Sequence, residues 1–264
     1  MLQEKRLFLF DIDGTVALGD TLFDGSAELF AHIRAIGGRS VFITNNSTKS
    51  RRAYVEKFAK WNIETDESDF ITASYATCLH LKNAYAGKKV FVLGTRSFVR
   101  ELREFGIDAT TRPEPDVACV VAGFDDELTY QKVMDACEVL QTHSVDFLAT
   151  NPDLRCPYSF GFIPDCGAIC RMISATVDRE PMFIGKPDRR IVDLCLAETG
   201  FSRAETLVVG DRLYTDILCG VNAGAETCLL LTGEATREDA DAEDYHPDYI
   251  FENVKKLLGA VKGE

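Results

Sequence analysis

The feature that most constrains this sequence is the alternation of short apolar runs with segments of helix length. Four runs rich in Val, Ile, Leu and Phe have the length and composition of strands that are buried on both faces, at residues 7–10, 41–44, 207–210 and 228–231. Apolar spacing predicts helices at 25–36 and 191–199, and Gly200 is a natural stop for the second. This alternation predicts a parallel sheet with helices on both faces.

The middle of the chain repeats the same alternation independently. Strands are predicted at 90–93, 117–121 and 147–149, with helices at 98–105 and 129–142. The 264 residues are enough for two modest domains. We therefore expect an α/β core formed by residues 1–83 and 181–264, with a second α/β domain inserted at 84–180.

Charge and cysteine content restrict the partners and the location. The 29 basic and 42 acidic residues give a net charge of −13, which argues against nucleic-acid binding and against binding to anionic membranes. No apolar stretch approaches the length of a membrane span, and the N-terminus does not resemble a signal peptide. The nine scattered cysteines contain no CxxC pair and are typical of reduced thiols, so we expect a cytoplasmic protein.

The first apolar run is followed directly by the segment DIDGT at positions 11–15. Gly14 and Gly19 indicate that the chain turns here, so the carboxylates of Asp11 and Asp13 can converge on one ligand. Ligands of open α/β sheets bind beyond the carboxyl ends of the strands, where this segment lies. Asp-Gly is also common in turns, so this motif alone leaves an ordinary turn open.

Two further motifs offer groups that suit phosphate oxygens. The segment TNNS at 44–47 follows the second apolar run, and Thr44 and Asn45 supply hydroxyl, amide and backbone N–H groups there. Taken alone, this segment is better explained as a helix N-cap. Lys186, between Gly185 and Pro187, can present a fixed positive charge to a phosphate, although a single lysine is usually a surface residue.

The fourth motif is GDRLYTD at 210–216, after the apolar run 207–210. Asp211 and Asp216 can reach one point if the loop folds back, and clustered carboxylates suit Mg²⁺; surface acids are the alternative. Asp11 and Asp211 could admit a phosphate dianion only if a cation neutralised them. The sequence therefore predicts Mg²⁺ as cofactor.

The order and context of these four motifs resemble those of the haloacid dehalogenase superfamily of phosphohydrolases, over essentially the whole chain. The segments FITNNST at 42–48 and ATNPD at 149–153, with an α/β insert between the second and third motifs, look like its p-nitrophenyl phosphatase and NagD-like branch. The resemblance implies a Rossmann-like parallel-sheet core and a C2-type cap at 84–180. Relatives in this branch often carry glycine at the position of Asp165.

The resemblance also implies roles for individual residues. Asp11 would be the nucleophile and Asp13 the general acid–base. Thr44, the backbone of Asn45 and Lys186 would bind the phosphoryl oxygens. Mg²⁺ would be held by Asp11, by the backbone carbonyl of Asp13 and by Asp211, with direct or water-mediated binding of Asp216 left open.

The function predicted from these residues is Mg²⁺-dependent hydrolysis of a small phosphorylated metabolite through an aspartyl-phosphate on Asp11. A phosphotransferase or phosphomutase on the same scaffold is the alternative enzyme. A non-catalytic metabolite-binding module is less consistent, because binding alone needs no acid–base such as Asp13. The identity of the substrate and assembly into a homo-oligomer stay open. Asn151 and Asp153 either face the substrate or form an Asx-Pro turn.

Overall fold

The computed structural model describes residues 1–158 and 160–264, and the chain divides into two compact units. The core unit comprises residues 1–44, 52–71 and 186–264. The inserted unit comprises residues 45–51 and 72–185. The insert predicted at 84–180 lies within the inserted unit, which continues beyond it on both sides.

The secondary structure alternates between strands and helices along most of the chain. The strands are β1 (Leu7–Phe10), β2 (Ala17–Leu18), β3 (Thr21–Leu22), β4 (Arg39–Thr44), β5 (Phe70–Thr72), β6 (Lys89–Leu93), β7 (Asp108–Thr110), β8 (Val117–Ala122), β9 (Asp146–Ala149), β10 (Arg155–Tyr158), β11 (Gly161–Pro164), β12 (Met182–Phe183), β13 (Thr206–Gly210), β14 (Glu226–Leu230) and β15 (Tyr249–Phe251). The helices are α1 (Ser26–Ala35), α2 (Arg51–Lys60), α3 (Ala73–Ala84), α4 (Arg96–Glu104), α5 (Tyr130–Thr142), α6 (Cys166–Val177), α7 (Arg190–Thr199), α8 (Leu218–Ala223), α9 (Arg237–Ala242) and α10 (Val254–Lys262).

The core unit is built on a six-stranded sheet in the order β15-β14-β13-β1-β4-β5. The pairings from β15 through to β4 are parallel, and Phe10 of β1 aligns with Val209 of β13 on one side and with Phe42 of β4 on the other. Since parallel strands end at the same edge, the residues that follow β1, β4 and β13 meet there. The predicted Rossmann-like α/β class is confirmed.

An apolar core on both faces of this sheet explains why β1 has no polar residue. All four of its side chains are fully buried. On one face Phe42 packs against Phe58, with ring centroids 4.4 Å apart, and against Phe30 at 5.1 Å. Packing of this kind holds the central strands rigidly, so the first polar residues beyond them occupy defined positions.

The inserted unit has its own five-stranded sheet, in the order β12-β9-β8-β6-β7, with every pairing parallel. Its buried residues form a separate apolar cluster that includes Val120, Phe147 and Ile169. An antiparallel hairpin of β10 and β11 precedes α6. In the part of the chain that the structure describes, no helix is long and apolar enough to cross a membrane.

Candidate active site

Asp11 is the first polar residue after the buried strand β1. Its backbone N–H donates to the carbonyl oxygen of Val209 at 2.8 Å, which continues the pairing of β1 with β13 by one more residue. The carboxylate is therefore held at the edge of the sheet, and its side chain is only 13% exposed.

Lys186 brings a buried positive charge to this carboxylate. Its Nζ donates to Asp11 Oδ1 at 2.7 Å, to Asp216 Oδ1 at 2.6 Å and to the carbonyl oxygen of Ile43 at 3.1 Å. Burial alone would lower the pKa of Lys186, but the charges of Asp11 and Asp216 outweigh it and raise the pKa above its usual value. The side chain is thus a permanent cation with an acceptor for each of its three protons.

Asp211 and Asp216 arrive from the loop that follows β13. A π-helical turn at Leu213–Ile217 folds this loop back, and the backbone N–H of Arg212 donates to Asp216 Oδ2 at 3.1 Å. Carboxylate oxygens of Asp11, Asp211 and Asp216 lie within 4.8 Å of one another. Burial, and then the charge of Asp11, raises the pKa of Asp211 to about 7. Burial and the charge of Asp11 raise the pKa of Asp216 to about 6, against the opposing effect of Lys186.

The segment 232–235 after β14 holds Asp211 in place, and sequence reasoning missed it. The backbone N–H of Glu234 donates to Asp211 Oδ2 at 2.8 Å, and the Thr15 hydroxyl donates to Oδ1 at 3.0 Å. The Thr232 hydroxyl donates to the carbonyl oxygen of Gly14 at 2.7 Å. The signal for this segment was Thr232-Gly233 directly after the apolar run 228–231, at the same edge of the sheet as the other motifs.

Two glycines leave room for the Asp211 carboxylate. A Cβ on Gly14, whose φ is +100°, would lie 2.6 Å from Asp211 Oδ2, and a Cβ on Gly233 would lie 1.9 Å from the same atom. Any other residue at either position would displace the carboxylate or the loop. The arrangement therefore depends on close approach of backbone to carboxylate.

The donor set fits a small divalent cation. Three carboxylates and one ammonium leave about two uncompensated negative charges in a buried space. Oxygens on opposite sides of Mg²⁺ lie roughly 4 Å apart, which the observed spread of the carboxylate oxygens can accommodate. The pKa values of Asp211 and Asp216 are raised first by burial, and the nearby charge of Asp11 adds to that effect.

Asp13 lies apart from this cluster and has a different partner. Its side chain is 33% exposed, and Oδ1 lies 3.5 Å from the ammonium of Lys57 on α2. Sequence reasoning did not identify Lys57 as a candidate. No signal could have found it, because 44 positions separate the two residues and a lysine on a helix is ordinary.

Thr44 and Asn45 follow each other in the chain but fall in different units. Thr44 ends β4 in the core unit, directly after Ile43, whose carbonyl oxygen accepts from Lys186. Asn45 belongs to the inserted unit, where its side-chain amide donates to Asp153 Oδ2 at 2.6 Å. The structure therefore brings Asp11, Lys186 and the two later aspartates together, while their roles and those of Thr44 and Asn45 stay predictions.

A buried polar network in the inserted unit contains the other residues that the sequence singled out. Asp153 Oδ2 also accepts from the Asn151 amide at 2.9 Å, and that amide donates to Asp165 Oδ1 at 3.0 Å. Asp165 is the N-cap of α6 and accepts from the backbone N–H of Cys166. Asn151, Asp153 and Asp165 are all at most 5% exposed. Their hydrogen bonds within the unit give these side chains a structural role.

Comparison with known proteins identifies the family. A family model described as haloacid dehalogenase-like hydrolase matches residues 8–108, and a second, described as HAD-hydrolase-like, matches 183–257. The acid sugar phosphatase of Staphylococcus aureus (strain MRSA252) is 30% identical, over 99% of this chain and all of that protein. The structure of 4-nitrophenylphosphatase from Thermotoga maritima is similar with a TM-score of 0.92 and 34% identity, over 98% of each chain. NagD from Escherichia coli K-12 is similar with a TM-score of 0.85 and 30% identity, over 96% of this chain and 98% of that one.

The chain therefore belongs to the haloacid dehalogenase-like hydrolases. Within that family it is a phosphatase, similar to NagD and the nitrophenylphosphatases.

Proposed function

We propose that this protein is a Mg²⁺-dependent phosphatase of small phosphomonoesters that transfers the phosphoryl group to Asp11 and then to water. The observation that supports this most strongly is the buried ammonium of Lys186, hydrogen-bonded to Asp11 at 2.7 Å beside two further carboxylates. A nucleophilic carboxylate, a fixed cation and a set of hard oxygen donors are the groups that phosphoryl transfer requires.

Asp11, Asp211 and the backbone carbonyl of Asp13 would hold the Mg²⁺ ion. When bound, the ion neutralises the carboxylates and the charge that develops on the transferring phosphoryl group. Support for this assignment comes from the net negative charge of the cluster and from the glycines that leave room for Asp211. Asp216 would act by fixing Lys186, since Lys186 and the backbone N–H of Arg212 donate to its two oxygens.

The proposed reaction has two steps. A carboxylate oxygen of Asp11 attacks phosphorus in line, the bond from phosphorus to the ester oxygen breaks, and that oxygen takes a proton from Asp13. Asp13, now a carboxylate, accepts a proton from water as the water attacks phosphorus and restores Asp11. The hydroxyl of Thr44, the backbone N–H of Asn45 and Lys186 would orient the phosphoryl oxygens in both steps.

The substrate class follows from the relatives and from charge. The relatives are named for sugar phosphates and for 4-nitrophenyl phosphate, and we infer that this chain acts on sugar phosphates, nucleotides or similar metabolites in the cytoplasm. The inserted unit would serve as a cap that contacts the leaving group and selects among substrates. The net charge of −13 is consistent with a small anionic substrate drawn in by local cations rather than with a nucleic-acid partner.

Substitution of the nucleophile tests the proposal. Asp11→Asn should retain the melting temperature within a few degrees but lower turnover of p-nitrophenyl phosphate by at least about 10³-fold, because an amide cannot form the acyl-phosphate. Asp126→Asn, an exposed acid of the inserted unit, is the matched control and should behave as wild type. Activity of Asp11→Asn within tenfold of wild type would remove Asp11 as nucleophile.

Metal dependence and product analysis complete the test. EDTA should abolish activity, Mg²⁺ should restore it, and Ca²⁺ should inhibit, because calcium takes more oxygen ligands at longer distances and would misalign Asp11. Full activity in metal-free buffer would contradict the metal assignment. Analysis of the products formed in the presence of an alcohol acceptor distinguishes hydrolysis from phosphotransfer. Free phosphate as the main product supports a hydrolase, whereas a phosphorylated alcohol as the main product would show that the enzyme is a transferase.

A further inference from the structure

Lys57 is a buried lysine on the core-unit part of α2, close to Asp13. The residue is 8% exposed, and its Nζ lies 3.5 Å from Asp13 Oδ1. On the other side, Nζ lies 5.2 Å from the centroid of the Trp61 ring, four residues further along the chain. The ammonium thus lies within range of a carboxylate and of an aromatic ring.

Burial of this charge requires compensation that the surroundings provide. An ammonium removed from water is strongly destabilising unless it is paired, and the Asp13 carboxylate is the anion within range. Interaction with the Trp61 ring adds a smaller attraction. Trp61 is itself fixed, because its Nε1 donates to the carbonyl oxygen of Asp20 at 2.9 Å. Lys57 therefore occupies a built position rather than one of many rotamers.

Asp13, in contrast, needs a restraint. Its side chain is one third exposed, so it is held less firmly by packing than the buried carboxylates of the site. A general acid is effective only if it stays within hydrogen-bond reach of the leaving oxygen. The Lys57 ammonium, 3.5 Å from Asp13 Oδ1, is near enough to restrain the carboxyl group, although that separation is long for a hydrogen bond.

We propose that Lys57 is a positioning residue for Asp13 in the step that expels the leaving group, an inference that rests on the acid–base role of Asp13 in the proposed function. Lys57 holds the carboxyl group toward the leaving oxygen in the first step. Lys57 neither touches the substrate nor transfers a proton itself.

The test compares leaving groups, because a nitrophenolate departs without a proton and an alkoxide does not. In Lys57→Met, kcat/KM should fall about 10- to 100-fold for glycerol phosphate but less than about 3-fold for p-nitrophenyl phosphate. The parameter kcat/KM is the appropriate one, since it covers the steps through departure of the leaving group. Lys57→Arg should recover most of the loss. Lys60→Met, which removes an exposed lysine from the same helix, is the matched control and should be silent.

A double-mutant cycle identifies the path of the effect. If Lys57 acts through Asp13, adding Lys57→Met to Asp13→Asn should change kcat/KM for glycerol phosphate less than about 2-fold. Equal losses on both substrates, no loss on either, or full additivity in the cycle would overturn the proposal. If Lys57→Met does not fold, Lys57→Gln is subjected to the same comparison.

Failure of the proposed function gives a different pattern. Wild-type protein that hydrolyses neither ester, or Asp13→Asn that reduces both esters equally, would remove the acid–base role of Asp13 itself. A second pattern would overturn only the role of Lys57. In that pattern, Asp13→Asn lowers kcat/KM more for glycerol phosphate than for p-nitrophenyl phosphate, whereas Lys57→Met lowers kcat/KM for neither ester.

Discussion

Lys186 Nζ lies 2.6 Å from Asp216 Oδ1, and both side chains are nearly inaccessible to solvent. The second oxygen of Asp216 accepts from the backbone N–H of Arg212 at 3.1 Å. Asp211, by comparison, accepts from the Thr15 hydroxyl and from the backbone N–H of Glu234, neither of which carries a charge. This difference favours Asp211 as a metal ligand and Asp216 as the residue that fixes the lysine.

The two aspartates should therefore respond differently to neutral substitution. Asp211→Asn should raise the Mg²⁺ concentration for half-maximal activity at least about tenfold, because it removes a charged ligand. Asp216→Asn should leave that concentration nearly unchanged but lower kcat/KM about 10- to 100-fold, since Lys186 loses one of its anchors. Titration of activity with Mg²⁺ at several substrate concentrations separates the effects. An equal shift of Mg²⁺ dependence in both variants would show that Asp216 binds the metal directly.

The stabilisation of the fold by Mg²⁺ should increase with pH. Folding raises the pKa of Asp211 from 3.8 to about 7, mainly by burial and then by the charge of Asp11. A carboxyl group with a raised folded pKa contributes stability that is fully present below its unfolded pKa and is lost as pH rises through the folded value. Without a divalent cation, this group should therefore weaken the fold between about pH 4 and about pH 7.

Bound Mg²⁺ reverses this trend, because it favours the ionised carboxylates. The gain in melting temperature on adding Mg²⁺ should be larger at about pH 8 than at about pH 5, as measured by thermal unfolding against EDTA controls. Asp211→Asn should show little gain at either pH. A gain of the same size at both pH values in the wild type would argue that Asp211 is not a ligand.

Strands could be predicted from the sequence where every residue is buried and therefore apolar. The bounds of β1 were predicted as observed, since all four of its residues are apolar and covered on both faces. The second predicted strand, observed as β4, begins at Arg39, two residues before the predicted start. Arg39 and Ser40 pair with Leu7 and Phe8 of β1, so backbone pairing extends a strand through polar residues that no apolar pattern marks.

The hairpin of β10 and β11 was missed for a related reason. Pro157 lies within β10, opposite Phe162 of β11. A two-stranded hairpin leaves one edge of each strand without a sheet partner, and proline is tolerated there because it need not donate. Whether such a segment forms a strand depends on pairing with its partner strand, which the pattern of apolar residues does not mark.

The candidate site was predictable as far as its motifs follow strands. Asp11 and Asp211 directly follow apolar runs, and they lie together with Lys186, which was expected at a loop–helix boundary, and with Asp216, whose loop folds back. Lys57 and the segment 232–235 were not predicted, because their role depends on which helix face and which loop the fold turns toward the site. The side chain of Asn45 pairs with Asp153, more than a hundred positions away, which no local pattern could indicate.

The buried network of the inserted unit should affect stability more than chemistry. Asp153→Ala removes an acceptor that serves the side-chain amides of Asn45 and Asn151, and each buried hydrogen bond lost should cost about 1–3 kcal/mol. The melting temperature should fall by several degrees. Hydrolysis of p-nitrophenyl phosphate should remain measurable, while the preference among natural phosphomonoesters changes. Asp165→Ala should behave similarly, since it removes the N-cap of α6.

Asp126→Ala, an exposed acid in the same unit, is the matched control and should shift the melting temperature by less than about a degree. Loss of all activity in a folded Asp153→Ala protein, even toward the activated ester, would show that the inserted unit contributes to the chemistry itself.

Substitution of Gly233 should lower activity as much as substitution of the carboxylates Asp211 and Asp216 does. A Cβ at this position would lie 1.9 Å from Asp211 Oδ2, so Gly233→Ala must displace either the carboxylate or the segment that holds it. Displacement of a ligand by about 1 Å can reduce catalysis by about 10²-fold, and we expect a loss of that size together with a higher Mg²⁺ requirement. Gly259→Ala on α10 is the matched control, because a Cβ there meets no atom within 4 Å and alanine favours the helix. The two variants are compared by measuring activity as a function of Mg²⁺ concentration and by measuring the melting temperature of each. Wild-type Mg²⁺ dependence in a folded Gly233→Ala protein would mean that the contact between segment 232–235 and Asp211 does not control the site.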